Sequence, residues 1–583
     1  MFLLSLFLLA ILSTILGRRL CVGRLNTRAD SLAPVLGFAL IAMIASTAFI
    51  LNIPPAVPIV IITGAAFFSY RRVAQTEEFY RLPYQLRSFV IAAIIIGTPY
   101  LIRNGFNDVV TGYHTCNDPV IHALLSKGNA IDGQVHAKLY PSGRILPYPV
   151  AAHSVINLIS LMPGTDVRNL VFGIALFSLA LCVFPLKILI TESRGVSTKS
   201  ILDDIFAGLA ASTFYNAAVA YHGFLPQVSF VPFALTALIL LRTEAQESPQ
   251  KSRPSLALSA LSAAAAVASY SFAAAIVLAV GLVISPWGIG VRRHVKLGMT
   301  FTALVTIIMG ANLIPLFELA GQVISYFFDA SKTPPILRES SSFGNLVGFL
   351  NPLMWTGLWW EQDYRMQSIK DPISQIVLFF SGIGIYLSAR GISDHSPAAS
   401  LNARLLTCGA LAYLAILVKT GSPYSTGKIG SFVAPVITAT MIRGVFTIPF
   451  CRITRSVALL SLASLLLASN IHLLRFISIL PADVIHASTQ IARDFSGKRL
   501  LIFSDNDWLL YTIDSETVDI IGLHYLPDKL TDTPSPSAYD AIVFHHLDPV
   551  RSRYTCLQES EYGPFVVCVQ TLSKEFPSRA SIP

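Results

Sequence analysis

NGFNDVVTGYHTCNDPVIHALLSKGNAIDGQVHAKLYPSGRIL, residues 104–146, is the polar interval on which the reading of the whole chain turns. The segment before it, 87–103, is apolar between its ends, and apolar sequence resumes at Pro147. A stretch dense in His, Asp, Asn, Gly and Tyr between two such segments marks the place where polar chemistry meets a membrane.

The surrounding composition requires that membrane. Of 583 residues, 53% are hydrophobic and 13% charged, and the mean hydropathy is +0.62, which excludes an ordinary soluble protein. Apolar runs long enough to cross hydrocarbon, about 17 to 25 residues each, recur from Met1 to Phe476. The net charge of +9 does not point to nucleic acid, because the basic residues sit in short connections between those runs. Arg18, Arg19, Arg24 and Arg28 follow the first run, Arg71 and Arg72 the third, and Arg242, Lys251 and Arg253 the seventh. Arg292, Arg293, Lys296, Arg452 and Arg455 mark further turns, as the positive-inside rule expects.

Holding these turns inside predicts spans at 1–17, 33–51, 55–70, 87–103, 168–190, 201–221, 227–241, 255–270, 271–288, 297–317, 372–389, 403–418, 431–449 and 456–476. The fold class is therefore a polytopic α-helical membrane protein with about 13–14 transmembrane helices. The first run lacks a basic n-region and a small-residue cleavage site, so it reads as a retained helix. Residues 147–162 read as re-entrant or interfacial, because counting them as a span would move the basic 191–200 turn to the wrong side. By the same parity the loops 104–146, 318–371 and 419–430 share the outer face with the tail after Pro481, and so the protein is expected in the cell membrane with its polar complexity extracytoplasmic.

The expected organisation is a transmembrane domain over 1–481 and a small extracytoplasmic α/β domain over 482–583. In the latter the apolar runs shorten to Arg499–Phe503, Val518–Leu523, Ala541–Phe544 and Phe565–Val569, which read as strands. Asp505-Asn506-Asp507 reads as a turn, and His545-His546 as an exposed corner ending a strand. The seven cysteines contain no CxxC and no zinc-like Cys/His spacing. Cys556 and Cys568 lie in the tail and can pair in an oxidising compartment, with Cys116 as a competing partner.

Within the polar interval, Asp118 precedes Pro119 and stands four residues before His122. If Pro119 opens a helix, both side chains project to one side near its start and can meet one ligand. The plainer alternative is that Asp118 is an N-cap and His122 rests on the membrane surface. A second cluster, Tyr140-Pro141-Ser142-Gly143, forms a turn that delivers Arg144 and then the apolar segment bearing His153. The planar guanidinium of Arg144 suits phosphate; its alternative is snorkelling to headgroups, and that of His153 is a satisfied buried imidazole.

A membrane-entry helix, an outer loop carrying Asp118 and His122-Ala123, and Tyr140-Pro141-Ser142-Gly143 before the next apolar helix together resemble the GT-C superfamily of polytopic glycosyltransferases. The chain departs from many relatives in having Arg144 where they carry His soon after the turn. The resemblance implies a GT-C-like fold, an acidic residue of the first large outer loop as catalytic base or metal ligand, and a polyprenyl-phosphate sugar as donor. Asp118 is then the expected base, with Asp108 second. Tyr424-Ser425-Thr426-Gly427-Lys428 precedes another apolar helix, where related transferases carry a Tyr and a cation, so that Lys428 would neutralise the donor phosphate. Gly421 to Lys428 is not a nucleotide P-loop, since Ile429 replaces Ser or Thr and no strand precedes it.

In the expected reaction Asp118 removes a proton from an acceptor hydroxyl of a glycan, lipid or protein, while Arg144 and Lys428 stabilise the departing phosphate. His122, Tyr140, His153 and Tyr424 complete the substrate-binding set. No cofactor is assigned: a divalent cation could assist Asp118, but the sequence offers no firm ligand set. Three tryptophans in the 318–371 loop, Trp355, Trp359 and Trp360, favour interfacial anchoring, with sugar stacking as the sharper alternative. Two competing functions stand beside transfer: a transporter or flippase of lipid-linked glycans, disfavoured because charges avoid the span centres, and a non-catalytic envelope assembly factor using the tail to bind partners.

Overall fold

The structure, a computed structural model, describes residues 2–21, 30–75, 81–104, 109–113, 122–123, 125–126, 149–191, 200–246, 253–286, 288–317, 352–360, 372–393, 396–420, 428–449, 451–475, 477–480, 482–503, 518–521, 539–545 and 554–573. Two compact units divide the chain: residues 1–103 with 146–476, and residues 104–145 with 477–583.

The first unit is helical. In chain order it contains α1 (Phe2–Cys21), α2 (Ala33–Ile50), α3 (Ala56–Val73), α4 (Leu82–Asn104), α5 (Ala151–Ser160), α6 (Val167–Leu181), α7 (Val183–Thr191), α8 (Ile201–Ala211) and α9 (Phe214–Tyr221). It continues with α10 (Leu225–Gln246), α11 (Arg253–Ser269), α12 (Ser271–Ile284), α13 (Val291–Met309), α14 (Pro372–Ser393), α15 (Pro397–Thr420), α16 (Gly430–Thr447) and α17 (Arg452–Leu474). Among the described residues, 11 helical segments are long and apolar enough to cross a membrane. They coincide with all the expected spans except 201–221, 255–270 and 271–288. The polytopic helical fold class holds, and these three differ for local reasons.

The segment 201–221 is not one helix. Ser212 and Thr213 interrupt it, and Thr213 restarts the chain as the N-cap of α9 by accepting the Asn216 backbone N–H at 3.2 Å. Short hydroxyl side chains compete with the helix for its backbone partners, which is why such a pair can end one helix and begin another. Similarly, Tyr270 adopts φ −151° and separates α11 from α12, leaving each shorter than a full crossing. Residues 151–160 form only a ten-residue helix, in keeping with a segment that does not cross.

Close helix approach is written into small residues. A Cβ placed on Gly17 of α1 would land on the Ala33 carbonyl oxygen, and one on Gly37 of α2 on the Ser13 carbonyl oxygen, so both glycines are needed for α1 and α2 to touch. Gly391 against the Thr440 carbonyl and Gly444 against the Leu387 carbonyl repeat the arrangement between α14 and α16. Phe38 stacks on Phe233 at 5.4 Å and meets Phe177 edge-on at 5.0 Å, joining α2, α6 and α10 through one aromatic cluster.

The helix ends that the sequence places inside carry buried polar ties. Asp204 is fully buried and accepts from Lys187 Nζ at 2.5 Å, Arg87 Nη2 at 2.9 Å and Ser88 Oγ at 2.7 Å. Arg18 donates to Gln85 at 2.7 Å, Gln85 to the Asp30 carbonyl at 2.6 Å, and Arg81 to the Asp30 carboxylate at 2.7 Å. Arg443, also buried, donates to the Gly391 carbonyl and to Ser396.

The second unit contains β1 (Val109–Tyr113), β2 (Ile477–Leu480), α18 (Ala482–Asp494), β3 (Leu500–Phe503), β4 (Val518–Ile521), β5 (Ala541–His545), β6 (Tyr554–Tyr562) and β7 (Phe565–Ser573). Five of the strands form a mixed sheet in the order β4-β3-β5-β7-β6, with β3 parallel to β4 and β5, and β7 antiparallel to β5 and β6. Alternation along the strands sorts Leu500, Ile502, Ala541 and Val543 to the face packed by Ala487 and Ile491 of α18, and Leu501, Ile542 and Phe544 to the other face. Separately, β1 pairs antiparallel with β2, so that part of the polar interval is tied to the residues immediately before α18. Asp540 accepts the Arg499 backbone N–H at 2.7 Å, which holds its carboxyl below the usual carboxylate range. Cys556 and Cys568 form a disulfide.

Candidate functional site in the helical unit

The interruption at Ser212 and Thr213 organises a polar interior region of the helical unit. Asn470 of α17 holds it by donating to the Ser212 carbonyl and hydroxyl, both at 2.8 Å. Phe214 N–H donates to the Gly357 carbonyl at 3.1 Å, docking the break on the turn Pro352–Thr356 and the residues after it. Gly357 sits at φ +84° with Thr213, Thr438 and Leu466 closing around it, a conformation and a space that exclude a side chain. Two further bonds pin the next residues to α14, from Ser381 to the Leu358 carbonyl at 3.2 Å and from Ser374 to the Trp360 carbonyl at 3.0 Å.

These ties bring Tyr215 and Asn216, in the first turn of α9, together with Trp355 and the start of α16. A Cβ on Gly430 would lie 2.6 Å from the Tyr215 ring and 3.0 Å from Trp355 Nε1. Gln227 Nε2 donates to Ser431 Oγ at 2.9 Å, fastening α10 to the same turn of α16. Lys428, half-buried two residues before Gly430, places Nζ 5.6 Å from the centre of the Tyr270 ring. Tyr270 in turn packs on Phe230 at 5.6 Å, and Trp355 meets Tyr413 edge-on at 5.0 Å. The result is an aromatic nest with one cation.

On the elements that meet here, several buried polar atoms lack partners among the described residues. Asn216 is 0% exposed, and among the described residues neither its amide nitrogen nor its amide oxygen has a hydrogen-bond partner. The indole nitrogens of Trp355 and Trp359 are buried in the same condition. A buried, unmatched amide or indole N–H costs about 1–3 kcal/mol, so a group of them is a feature that needs an occupant, water or ligand, to explain it. Aromatic faces, amide donors and acceptors and a nearby ammonium are the groups that bind a sugar joined to a phosphate.

The expected site residues distribute unevenly. Lys428 lies in the nest. His153 is fully buried in α5, its Nδ1 3.0 Å from the carbonyl oxygen of Pro149, just before the helix begins. His122 belongs to the second unit and is 2% exposed, and its carbonyl accepts from Ser126 Oγ at 2.7 Å. Asp108, Asp118, Tyr140, Arg144 and Tyr424 lie outside the described residues, as do the Asp505–Asp507 turn and Cys116. Among the described residues no group of three His, Cys, Asp or Glu side chains is placed to hold a metal ion. The tryptophans correct an expectation: Trp355 and Trp359 are packed in the protein interior at 9% and 2% exposure, and Trp360 stacks on His472 at 4.2 Å. Interfacial anchoring does not describe the buried pair Trp355 and Trp359. Tyr215, Asn216, Gln227 and Tyr270 were missed in the sequence, although Ser212-Thr213 and Asn216 inside an otherwise apolar run were a legible signal of a functional break.

Solved structures similar to this chain include the following two. One is the arabinofuranosyltransferase AftD from mycobacteria, at 15% identity and a TM-score of 0.48, covering 83% of this chain and 40% of that one. The chain thus spans well under half of that protein's length. The other is ArnT from Cupriavidus metallidurans in the apo state, at 13% identity and a TM-score of 0.45, covering 82% of this chain and 96% of that one. No protein-family model matches the sequence, and no curated protein matches it.

Proposed function

We propose that the protein is an integral-membrane glycosyltransferase that moves a sugar from a polyprenyl-phosphate donor to an extracytoplasmic glycan, lipid or protein acceptor. The observation that carries the reading is the meeting of α9, the Pro352–Thr356 turn and the start of α16, where Asn216 and Trp355 carry buried hydrogen-bonding atoms without partners among the described residues and Lys428, two residues before Gly430, lies by the Tyr270 ring. Lipid-linked glycan transport would need sugar recognition too, but the Asp118 and Tyr140-to-Arg144 motifs favour transfer.

The reaction follows from the proposed roles. Asp118, with Asp108 as the second choice, takes the acceptor hydroxyl proton as the acceptor oxygen attacks the anomeric carbon. The bond from that carbon to the phosphate oxygen breaks, and the electron pair leaves with the polyprenyl phosphate. Arg144 and Lys428 offset the charge that collects on the phosphate, a contribution preorganised cations make without reorganising during the reaction. Asn216 and the indole N–H groups of Trp355 and Trp359 fix the sugar hydroxyls, and no step is assigned to a metal.

Transfer of radiolabelled sugar from a panel of polyprenyl-phosphate sugars in proteoliposomes tests the proposal. Activity with one donor, abolished by Asp118→Asn in folded protein, is the expected result. No transfer with any donor and acceptor, together with movement of intact lipid-linked sugar across the bilayer, would replace it with transport.

A further inference from the structure

At the opposite end of the same unit, α1 and α3 finish side by side with basic residues in their last turns, Arg18 and Arg19 on α1 and Arg71 and Arg72 on α3. A groove of about 540 Å³ opens there, lined by Arg19, Arg71, Arg72, Phe68, Ser69 and Gln75. The described arginines of the neighbouring segments are neutralised or tied down: Arg81 by Asp30, Arg87 by Asp204, and Arg18 by Gln85. Arg19, Arg71 and Arg72 have no carboxylate partner among the described residues. Helix C-terminal dipoles favour cations at this position, by about 0.3–1 kcal/mol each, and explain why basic residues occur here. They do not explain why three converge on one groove, where mutual repulsion calls for an anion.

The surface leading to the groove narrows the anion's chemistry. Val57, Val60, Ile61, Phe67 and Phe68 of α3 are exposed, and their spacing puts them on one face that ends at Arg71. On the same helix Gly64 has nothing within 4 Å of the position a Cβ would take, which leaves the stripe without a ridge at its middle. An apolar track running into a basic groove complements an amphiphile with hydrocarbon chains and an anionic head. We propose that the groove formed by Arg19, Arg71 and Arg72 is a binding site for an anionic phospholipid, whose phosphate is held by the three guanidinium groups and whose acyl chain lies along α3.

The full chain in detergent, titrated with phosphatidylglycerol and followed by native mass spectrometry and thermal unfolding, tests this. Wild type should retain phosphatidylglycerol in preference to phosphatidylcholine, and its unfolding midpoint should rise with the anionic lipid. The variant R19Q/R71Q/R72Q should lose about tenfold or more in apparent affinity, since each cation near a lipid surface contributes a several-fold factor. R390Q/R452Q, which removes two exposed arginines elsewhere, should bind as wild type. Unfolding in the absence of added lipid checks that each variant is folded, and R71Q alone, expected to lose about threefold, serves if the triple variant is not. Equal loss in both sets of variants would overturn the site in favour of diffuse charge attraction. Stabilisation by inorganic phosphate alone, with displacement of the lipid, would overturn it in favour of a soluble anion.

Discussion

Asn216 separates a structural residue from a ligand-binding one. Its buried amide is unmatched among the described residues, so that replacing it by leucine, which has the same branched arrangement of side-chain heavy atoms, removes a desolvation cost. Asn216→Leu should leave the unfolding midpoint unchanged or raise stability by about 1 kcal/mol, while lowering sugar transfer at least about tenfold because a buried partner of the substrate is gone. A variant that unfolds easily and retains its specific activity would instead make Asn216 part of the scaffold. Asp204 is the contrary case. It is fully buried and receives Lys187, Arg87 and Ser88, so Asp204→Asn leaves two cations without their counter-charge. Because the side chain of Arg87 is 27% exposed and can turn to water, the cost should fall near the lower end of the range for broken buried pairs, about 3 kcal/mol. Thermal unfolding of the purified variant measures it, and an unchanged midpoint would remove the ion cluster from the list of what holds the bundle together.

At the scale of the element, glycine positions decide which helices can meet. A side chain on Gly444 must displace the Leu387 carbonyl, whereas Gly382 of α14 has nothing within 4 Å of its would-be Cβ. Gly444→Val should therefore abolish the folded peak in size-exclusion chromatography, and Gly382→Ala should be neutral or stabilising by a few tenths to about 1 kcal/mol. Equal behaviour of the two would mean that α14 and α16 do not approach as closely as their glycines allow. Hydropathy made most of these helices legible, because a run of apolar residues of the right length has one solution in hydrocarbon. Mean hydropathy alone does not mark the break at Ser212-Thr213, where two hydroxyl side chains change the hydrogen bonding while barely changing the average; the signal there is the residue types themselves. The strands β3, β4, β5 and β7 were legible as short apolar runs, and β6 was not: its Gln558-Glu559-Ser560-Glu561 stretch is polar because it is the edge of the sheet, paired on one side only. Likewise Lys428 could be named from a polar loop before an apolar helix, but the rings around it come from distant segments whose meeting no local pattern encodes.

At the scale of the whole molecule, charge and polarity are divided along the helices. The Asp204 and Asp30 clusters occupy ends that the sequence places inside, and the aromatic nest with Lys428 occupies the region where α9 and α16 begin. The second unit adds a long-range tie that linear reading treats as two separate objects, a catalytic loop and a tail. Val109 pairs with Leu480 and Tyr113 with Ile477, so the polar interval and the C-terminal residues belong to one body. The backbone groups of β1 satisfy themselves on β2, and removing β2 would leave them without that ladder. Deleting residues 477–583 should therefore leave a helical unit that still purifies from membranes, while the 104–145 interval becomes at least about tenfold more sensitive to limited proteolysis, as expected when a locally paired segment opens freely. Loss of transfer activity should accompany that sensitivity if Asp118 or Asp108 is the base. Cleavage at the wild-type rate, read by mass spectrometry of the fragments, would show that β1 holds its conformation without β2 and that the tail acts independently of the loop.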